Sequence, residues 1–595
     1  MWWAERTARL TRSLLWPSAI LSALVLAGCE RERAQPLGAQ PGASAAPPAP
    51  SVSTPPADPA GPSRISPEAL EAAGAMTGGA DIRRVVTEIA DDRYAGRAPG
   101  TPGDKRTRAF LAAELETLGF EPGAPNGSYE QPVELVGVRS TPPATWRFSR
   151  GDVKVDLKRN ADYIAVSGVQ TPRAELANAE LVFVGYGIEA PEYGWDDFKG
   201  VDVAGKVLVM LNNDPDWDPA LFAGTERLYY GRWTYKYESA ARHGAAGAII
   251  VHTTPSAGYP WQVVQASWSG AQFHLPAGDE PHVQVEAWIT EDAARRLLGP
   301  ARNLDGLVKQ ASRRDFVPVP LGIATSLTLR NAITHTQSAN VLGRLRGSDA
   351  ALADELVIYS AHHDHLGVGE PNPNGDPNDK IYNGARDNAS GVGMVLAIGK
   401  AFASLPQRPR RSIALLFPAA EEQGLLGSQY FAAHPAVPPG KIAANVNYDS
   451  GNIWGATNDI TFIGLGKSSL DGVAAEVAAF QQRALKGDQF PDRGSYYRSD
   501  QFNFAKIGVP AFYFSGGTDF IGRPPGWGVE QVNDYTDRHY HQPSDELTAD
   551  WSFDGMVQDA QFGFYAGLIV ANDTDLPAWN PGNEFEPARR AALGK

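Results

Sequence analysis

The sequence predicts an α/β protein built on a mixed, mostly parallel sheet sandwiched by helices, with a β-rich insert ahead of most of that sheet. Three observations carry this expectation. Beyond about Ala339, strand-like runs alternate with helical ones, and such alternation places parallel strands between helix layers. Three of those runs end in histidine or acidic residues, and ligands of open α/β sheets sit beyond the carboxyl ends of the strands. The chain has 595 residues, more than one hydrophobic core usually organises, so at least two folded units are expected.

In chain order, Arg6, Arg9 and Arg12 precede an apolar run over 19–27, the charged-then-apolar order of a secretory signal. The run is too short to span a bilayer comfortably. It ends in Leu26-Ala27-Gly28-Cys29, which resembles the bacterial lipobox, in which the cysteine is acylated and becomes the mature N-terminus. An ordinary cleaved signal or an uncleaved anchor is the alternative. Cys29 is the single cysteine, so no intramolecular disulfide can form. Glu30 after it points by the same resemblance to the outer membrane, facing the periplasm or the cell surface. Residues 1–28 are thus expected as a signal and 29–66, rich in Pro and Ala without apolar periodicity, as a flexible tether.

Order is expected from Pro67, with segments 67–75 and 82–90 and a helix over 105–118. In that helix Phe110, Leu111, Leu115 and Leu118 fall at helical spacing and Gly119 ends the run. Residues 67–170 form the first part of the main domain. Residues 171–325 read as the insert, with strands over 181–186, 206–211 and 248–252 and a helix over 237–243. Gly185-Tyr186-Gly187, Trp195-Asp196-Asp197-Phe198 and Gly205-Lys206-Val207 resemble the protease-associated domain. The insert holds no cluster of candidate metal ligands or nucleophiles, so it is expected to shape access to a site elsewhere. Residues 326–580 carry the rest of the main domain and 581–595 a tail. Strands are expected over 355–361, 412–418, 443–448 and 509–514, and helices over 392–405, 470–485 and 556–570.

Composition narrows the function. Hydrophobic residues make up 43% and charged residues 20%, with a formal net charge of -15. That is ordinary for a soluble globular protein and excludes a basic face for nucleic acid.

The chemistry gathers at the strand ends. One run leads into His362-His363-Asp364-His365-Leu366-Gly367, a second into Glu421-Glu422, a third into Asp449. A Gly-rich loop, Asn383-Gly384-Ala385-Arg386-Asp387-Asn388-Ala389-Ser390-Gly391, lies between the first two, and Tyr540-His541-Gln542-Pro543-Ser544-Asp545 comes near the end. Charge collected at the top of a buried sheet is costly unless compensated, and a cation compensates it efficiently. Imidazoles with carboxylates suit zinc or a similar borderline ion better than calcium. If the strand persists to Asp364, His362 and Asp364 share a face, Asp364 can steer His362, and His363 points away; His365 stays open as an alternative ligand. Ser499-Asp500 reads as the cap of a helix over 502–505. Tyr496, Tyr497 and Trp527 could line a pocket or pack in the core. There is no G-x-S-x-G elbow and no H-E-x-x-H.

Taken together, AHHDHLG, NGARDNASG, AAEEQGLLGS, NVNYDSG and YHQPSDE resemble the successive motifs of the di-zinc aminopeptidase family of clan MH, which includes glutamate carboxypeptidase and the transferrin-receptor ectodomain. The upstream stretch 91–103, DDRYAGRAPGTPG, is similar too. The resemblance implies two zinc ions per chain: His362 and Asp449 on one, Glu422 and His541 on the other, and Asp387 bridging. It implies Glu421 as general base, Asp364 orienting His362, and Tyr540 on the oxyanion. Arg386, Ala420, Gln542 and the Ser499-Asp500-Gln501 triplet depart from the commonest pattern, leaving the ligand set whole and the substrate pocket less defined. The implied activity is aminopeptidase cleavage of peptides, with contact to the membrane only through the lipid anchor. Alternatives are a glutamate-type carboxypeptidase or amidohydrolase on the same scaffold, and a non-catalytic surface-binding lipoprotein.

Overall fold

The computed structural model describes residues 64–218, 221–371 and 375–594. The expected signal, Cys29 and all but the end of the tether lie outside the described residues. Those described belong to one compact unit, and among them no helix is long and apolar enough to cross a membrane.

The centre is a mixed, mostly parallel sheet. Leu356–Ser360 runs parallel to Ser412–Phe417 on one side and Ile442–Asn447 on the other, and Ala511–Gly516 extends the parallel set. Antiparallel neighbours bound it: the end of Val319–Leu345 against Ser412–Phe417, and Asp459–Phe462 against Ala511–Gly516.

These strands are apolar almost throughout because both faces are covered. Val357 and Tyr359 pack with Ile413, Leu415 and Phe417 into the core under helices Ala80–Ile89, Gly391–Ser404 and Asp554–Asn572. Leu356, Ile358, Ala414 and Leu416 face the other way, onto Phe431 and Phe504. The helix Asp554–Asn572 sits so close that a Cβ on Gly563 or Gly567 would lie 1.8 Å from the hydroxyl of Tyr448 or Tyr359 respectively. Glycine one turn apart is therefore required for the helix to reach the sheet.

Upstream, five strands stand in the order Tyr163–Ser167, Val285–Thr290, Gly247–His252, Val207–Leu211 and Arg173–Phe183. Helix Trp233–Arg242 packs on them through Tyr237, Ala240 and Ala241. The 27-residue strand Val319–Leu345 pairs with Arg173–Phe183 at one end and with the central sheet at the other. It continues through positions 325 and 326, where its pairing with Arg173–Phe183 shifts register.

One expected element divides. The helix over 470–485 stops at Phe480, and Ala484–Lys486 is an edge strand. Gln482 takes a positive φ of 58°, and the buried Arg483 donates to Asp559 Oδ1 at 2.7 Å and to Thr457 Oγ1 at 2.9 Å. That tertiary pull turns the chain out of the helix despite its unbroken apolar periodicity.

Candidate metal centre and its cleft

The strand Leu356–Ser360 ends before the histidines, yet the alternation of side chains continues past it. His362 Nδ1 lies 3.7 Å from Asp364 Oδ1. His363 turns the opposite way, its ring nitrogens 3.1 Å from Phe417 O and 3.2 Å from Asp104 Oδ1. Asp364 Oδ1 also accepts the Glu421 N–H at 3.0 Å, so one carboxylate ties the histidine loop to the glutamate loop.

The remaining residues converge from four other loops. His362 Nε2 is 3.3 Å from Asp387 Oδ1, 3.5 Å from Asp449 Oδ1 and 3.8 Å from Glu421 Oε2. His541 Nε2 is 3.3 Å from Asp387 Oδ2 and 3.0 Å from Glu422 Oε2. The two oxygens of Asp387 thus face two different imidazoles. Sequence reading put His362, Glu421, Glu422 and Asp449 at three strand ends, Asp387 in the loop between the first two and His541 near the end of the chain; the structure brings all of them together.

His365 also approaches, with Nδ1 2.6 Å from Glu422 Oε1. By donor-atom spacing alone, His362, Glu421 and Asp449 form one group and His365, Asp387 and Glu422 another. We favour His541 over His365 as the imidazole for the second position. His541 lines the open cleft, while His365 is fully buried, and a Cβ on Gly384 would meet its ring at 2.5 Å. Glu422 then turns one oxygen to His541 and the other to His365, which holds it from behind.

The electrostatics point the same way. Burial alone would lower the His362 pKa, but the carboxylates of Glu421, Asp364, Asp387 and Asp449 outweigh it and raise it well above the imidazole range. His541 is raised to about 10 against the same burial penalty, chiefly by Glu422 and Asp387. Burial, then Asp449, Glu422 and Asp500, push Glu421 well above the carboxylate range despite the opposing pull of His362. Both ring nitrogens of His362 and Asp364 Oδ2 are buried without a hydrogen-bond partner. Unpaired lone pairs in a carboxylate-rich pocket are costly, and divalent cations accepted by nitrogen and oxygen donors satisfy them. The donor set therefore fits metal.

Supporting residues emerged that sequence reasoning had not singled out. Asp545 accepts the backbone N–H of Arg386 at 3.1 Å and of Asp387 at 3.0 Å, fixing the loop of the shared carboxylate. Arg97 is buried and donates to the carbonyls of Ile89, Asn383, His363 and Gly384, clamping the histidine and Asp387 loops together. Both sit inside motifs visible in the sequence, but only their charged type signals them. Asp500, expected to cap a helix, makes no side-chain cap bond. Both of its oxygens are buried without a partner, and burial first, then Asp449 and Asp364, hold it at about 7 against His362.

The centre opens into a cleft of about 270 Å³ walled by both parts of the molecule. From the upstream segment come Arg232, Trp233, Tyr259, Ser267 and Trp268; from the other side Arg386, Glu421, Asp449, Arg498, Tyr513 and Tyr540. Tyr540 stacks near His541, centroids 3.9 Å apart, and its hydroxyl accepts from Arg498 Nη2 at 3.3 Å. Arg386 donates to Gly451 O at 2.9 Å and lies over the rings of Trp454 and Tyr535. Tyr496 and Tyr497 pack in the core with Phe502 and Phe585.

Residues 340–564 match the model of Peptidase family M28. The chain is 28% identical over 189 residues to the Vacuolar membrane protease of Clavispora lusitaniae, covering 30% of this chain and 16% of that protein. It is 27% identical over 239 residues to Leupeptin-inactivating enzyme 1 of Streptomyces exfoliatus, covering 36% of this chain and 50% of that protein. The matched stretch thus spans half or less of the length of these relatives. The fold is similar to an aminopeptidase from Aneurinibacillus sp. strain AM-1, with a TM-score of 0.50 and 17% identity over 83% of this chain and 94% of that one.

Proposed function

From the match of residues 340–564 to the model of Peptidase family M28, we propose that the protein is a di-zinc aminopeptidase that removes residues from the N-terminus of peptides. The observation that carries this reading is the division of Asp387 between His362 and His541, the arrangement a shared carboxylate between two ions needs. His362 and Asp449 would hold one zinc, His541 and Glu422 the other, with Asp387 common to both.

Bound zinc would supply Lewis-acid polarisation of the scissile carbonyl and acidify a coordinated water. The chain's own groups do the rest. Glu421 reaches the cleft with a carboxyl whose proton affinity is raised by burial and neighbouring carboxylates, which suits a group that takes a proton from water and returns it to the leaving amine. Asp364 orients His362 and positions the Glu421 backbone. The Tyr540 hydroxyl, at the cleft wall, is placed to donate to an oxyanion. The upstream segment, as a protease-associated insert, closes one wall. Acylation at Cys29 would tether the enzyme to the cell envelope.

Two measurements test the reading together. Elemental analysis of purified protein is expected to give two zinc ions per chain, and aminoacyl amides with a free N-terminus are expected to be cleaved in preference to N-blocked dipeptides. Cleavage of only the N-blocked substrates would replace it with a carboxypeptidase.

A further inference from the structure

We propose that Arg232 and Arg498 form a subsite of the cleft for a carboxylate of the peptide substrate. The inference rests on the peptidase reading above and deepens it by naming the chemistry of the substrate.

Both guanidinium groups line the cleft that holds Glu421, Asp449 and His541. They reach it from opposite sides, Arg232 just ahead of helix Trp233–Arg242 and Arg498 just ahead of helix Gln501–Lys506. Among the described residues neither makes an ion pair with a carboxylate. Arg498 donates only to Arg493 O at 3.4 Å and to the Tyr540 hydroxyl at 3.3 Å, and lies over the Tyr259 ring at 5.2 Å. Arg232 lies over Trp233 at 5.8 Å, and its Nε is buried with no partner. Burial and the neighbouring Arg498 charge together lower the Arg232 pKa to about 10.

Two like charges lining one half-buried cleft without a paired carboxylate are unfavourable. An incoming carboxylate removes that cost, because guanidinium matches its two oxygens in a planar fork. Neighbouring aromatic rings keep the guanidinium planes in place without neutralising them. The metal-binding carboxylates gather at Asp387, so the charge separation along the cleft also orients a bound peptide, with its anionic group towards the arginines.

The carboxylate can come from the C-terminus of a short peptide or from an acidic side chain, and substrate pairs separate the two. One pair is Leu-Gly-Gly as free acid and as C-terminal amide; the other is Leu-Glu-Gly amide and Leu-Gln-Gly amide. Each is assayed on the unsubstituted enzyme, on Arg232→Met and Arg498→Met, and on both Arg→Lys variants. Within at least one pair the carboxylate member is expected to show a kcat/KM about tenfold or more above its amide, mostly through KM. In the Met variants the ratio falls towards one, and the Lys variants, which keep charge and bulk, retain part of it. Ratios near one in both pairs, or a preference that survives both Met substitutions, would overturn the proposal. Calorimetric binding of the same pairs separates it from the peptidase reading. A binding preference without any hydrolysis leaves the subsite standing and removes the peptidase; hydrolysis without a preference does the reverse.

Discussion

Ser267 Oγ lies 2.8 Å from His541 Nδ1, joining the upstream segment to a candidate metal ligand. The ligand's other nitrogen faces Asp387 and Glu422, so this contact fixes the ring's orientation. Phe273 N–H donates to Gln423 Oε1 at 3.0 Å, a second tie from the same segment to the glutamate loop. The upstream segment is therefore in contact with the centre as well as walling its cleft.

Ser267→Ala removes that orientation and leaves the five candidate ligand side chains in place. Zinc affinity, measured by competition with a chromogenic chelator, is expected to fall about tenfold or more. The melting temperature of the metal-free protein should hardly move. Unchanged affinity would show that His541 is held by packing alone.

Glu421→Gln is expected to keep both metals by elemental analysis and to lower kcat by about 100-fold or more, the contribution of a positioned proton-transfer group. Metal lost along with activity would place Glu421 among the ligands, as its 3.8 Å approach to His362 Nε2 allows.

Asp545→Ala deprives two backbone N–H groups, those of Arg386 and Asp387, of their acceptor. Buried donors left unpaired cost about 1–3 kcal/mol each. Urea unfolding of the metal-free variant should show a loss in that range. Retention of full stability would mean that water replaces the carboxylate.

Arg97→Met strands four carbonyls around a buried apolar chain. A destabilisation of about 3 kcal/mol or more is expected from the urea midpoint. Arg97→Lys should recover only part, since an ammonium cannot span the fork.

Chelation should destabilise the folded protein, because it leaves the buried ring nitrogens of His362 without a partner. Adding zinc back is expected to raise the melting temperature with each increment of free metal, the stabilisation reaching about 2.7 kcal/mol per site at a hundredfold excess over Kd. A melting temperature indifferent to zinc would contradict a metal centre.

Much of the fold could be read along the chain. The alternation of apolar runs marks Leu356–Ser360, Ser412–Phe417 and Ile442–Asn447 to within a residue or two, because strands buried on both faces leave a signal that needs no knowledge of neighbours. The same periodicity misled over 470–485, where a buried Arg483–Asp559 pair overrides local preference. Asp500 misled for a related reason: a Ser-Asp pair ahead of a helix reads as a cap, and nothing local reveals that its carboxylate is enclosed near the centre.

By itself the sequence determined which residue types stand at the strand ends, and so the kind of chemistry they can support. Tertiary structure alone decided which oxygen of Asp387 meets which imidazole, that His365 backs Glu422 while His541 opens to the cleft, and that Arg232 and Arg498 line one cleft. The reason is range. Periodicity and turn chemistry act over a few residues, whereas these relationships join residues from a few tens to more than two hundred positions apart and exist only once the sheet and the upstream segment have packed.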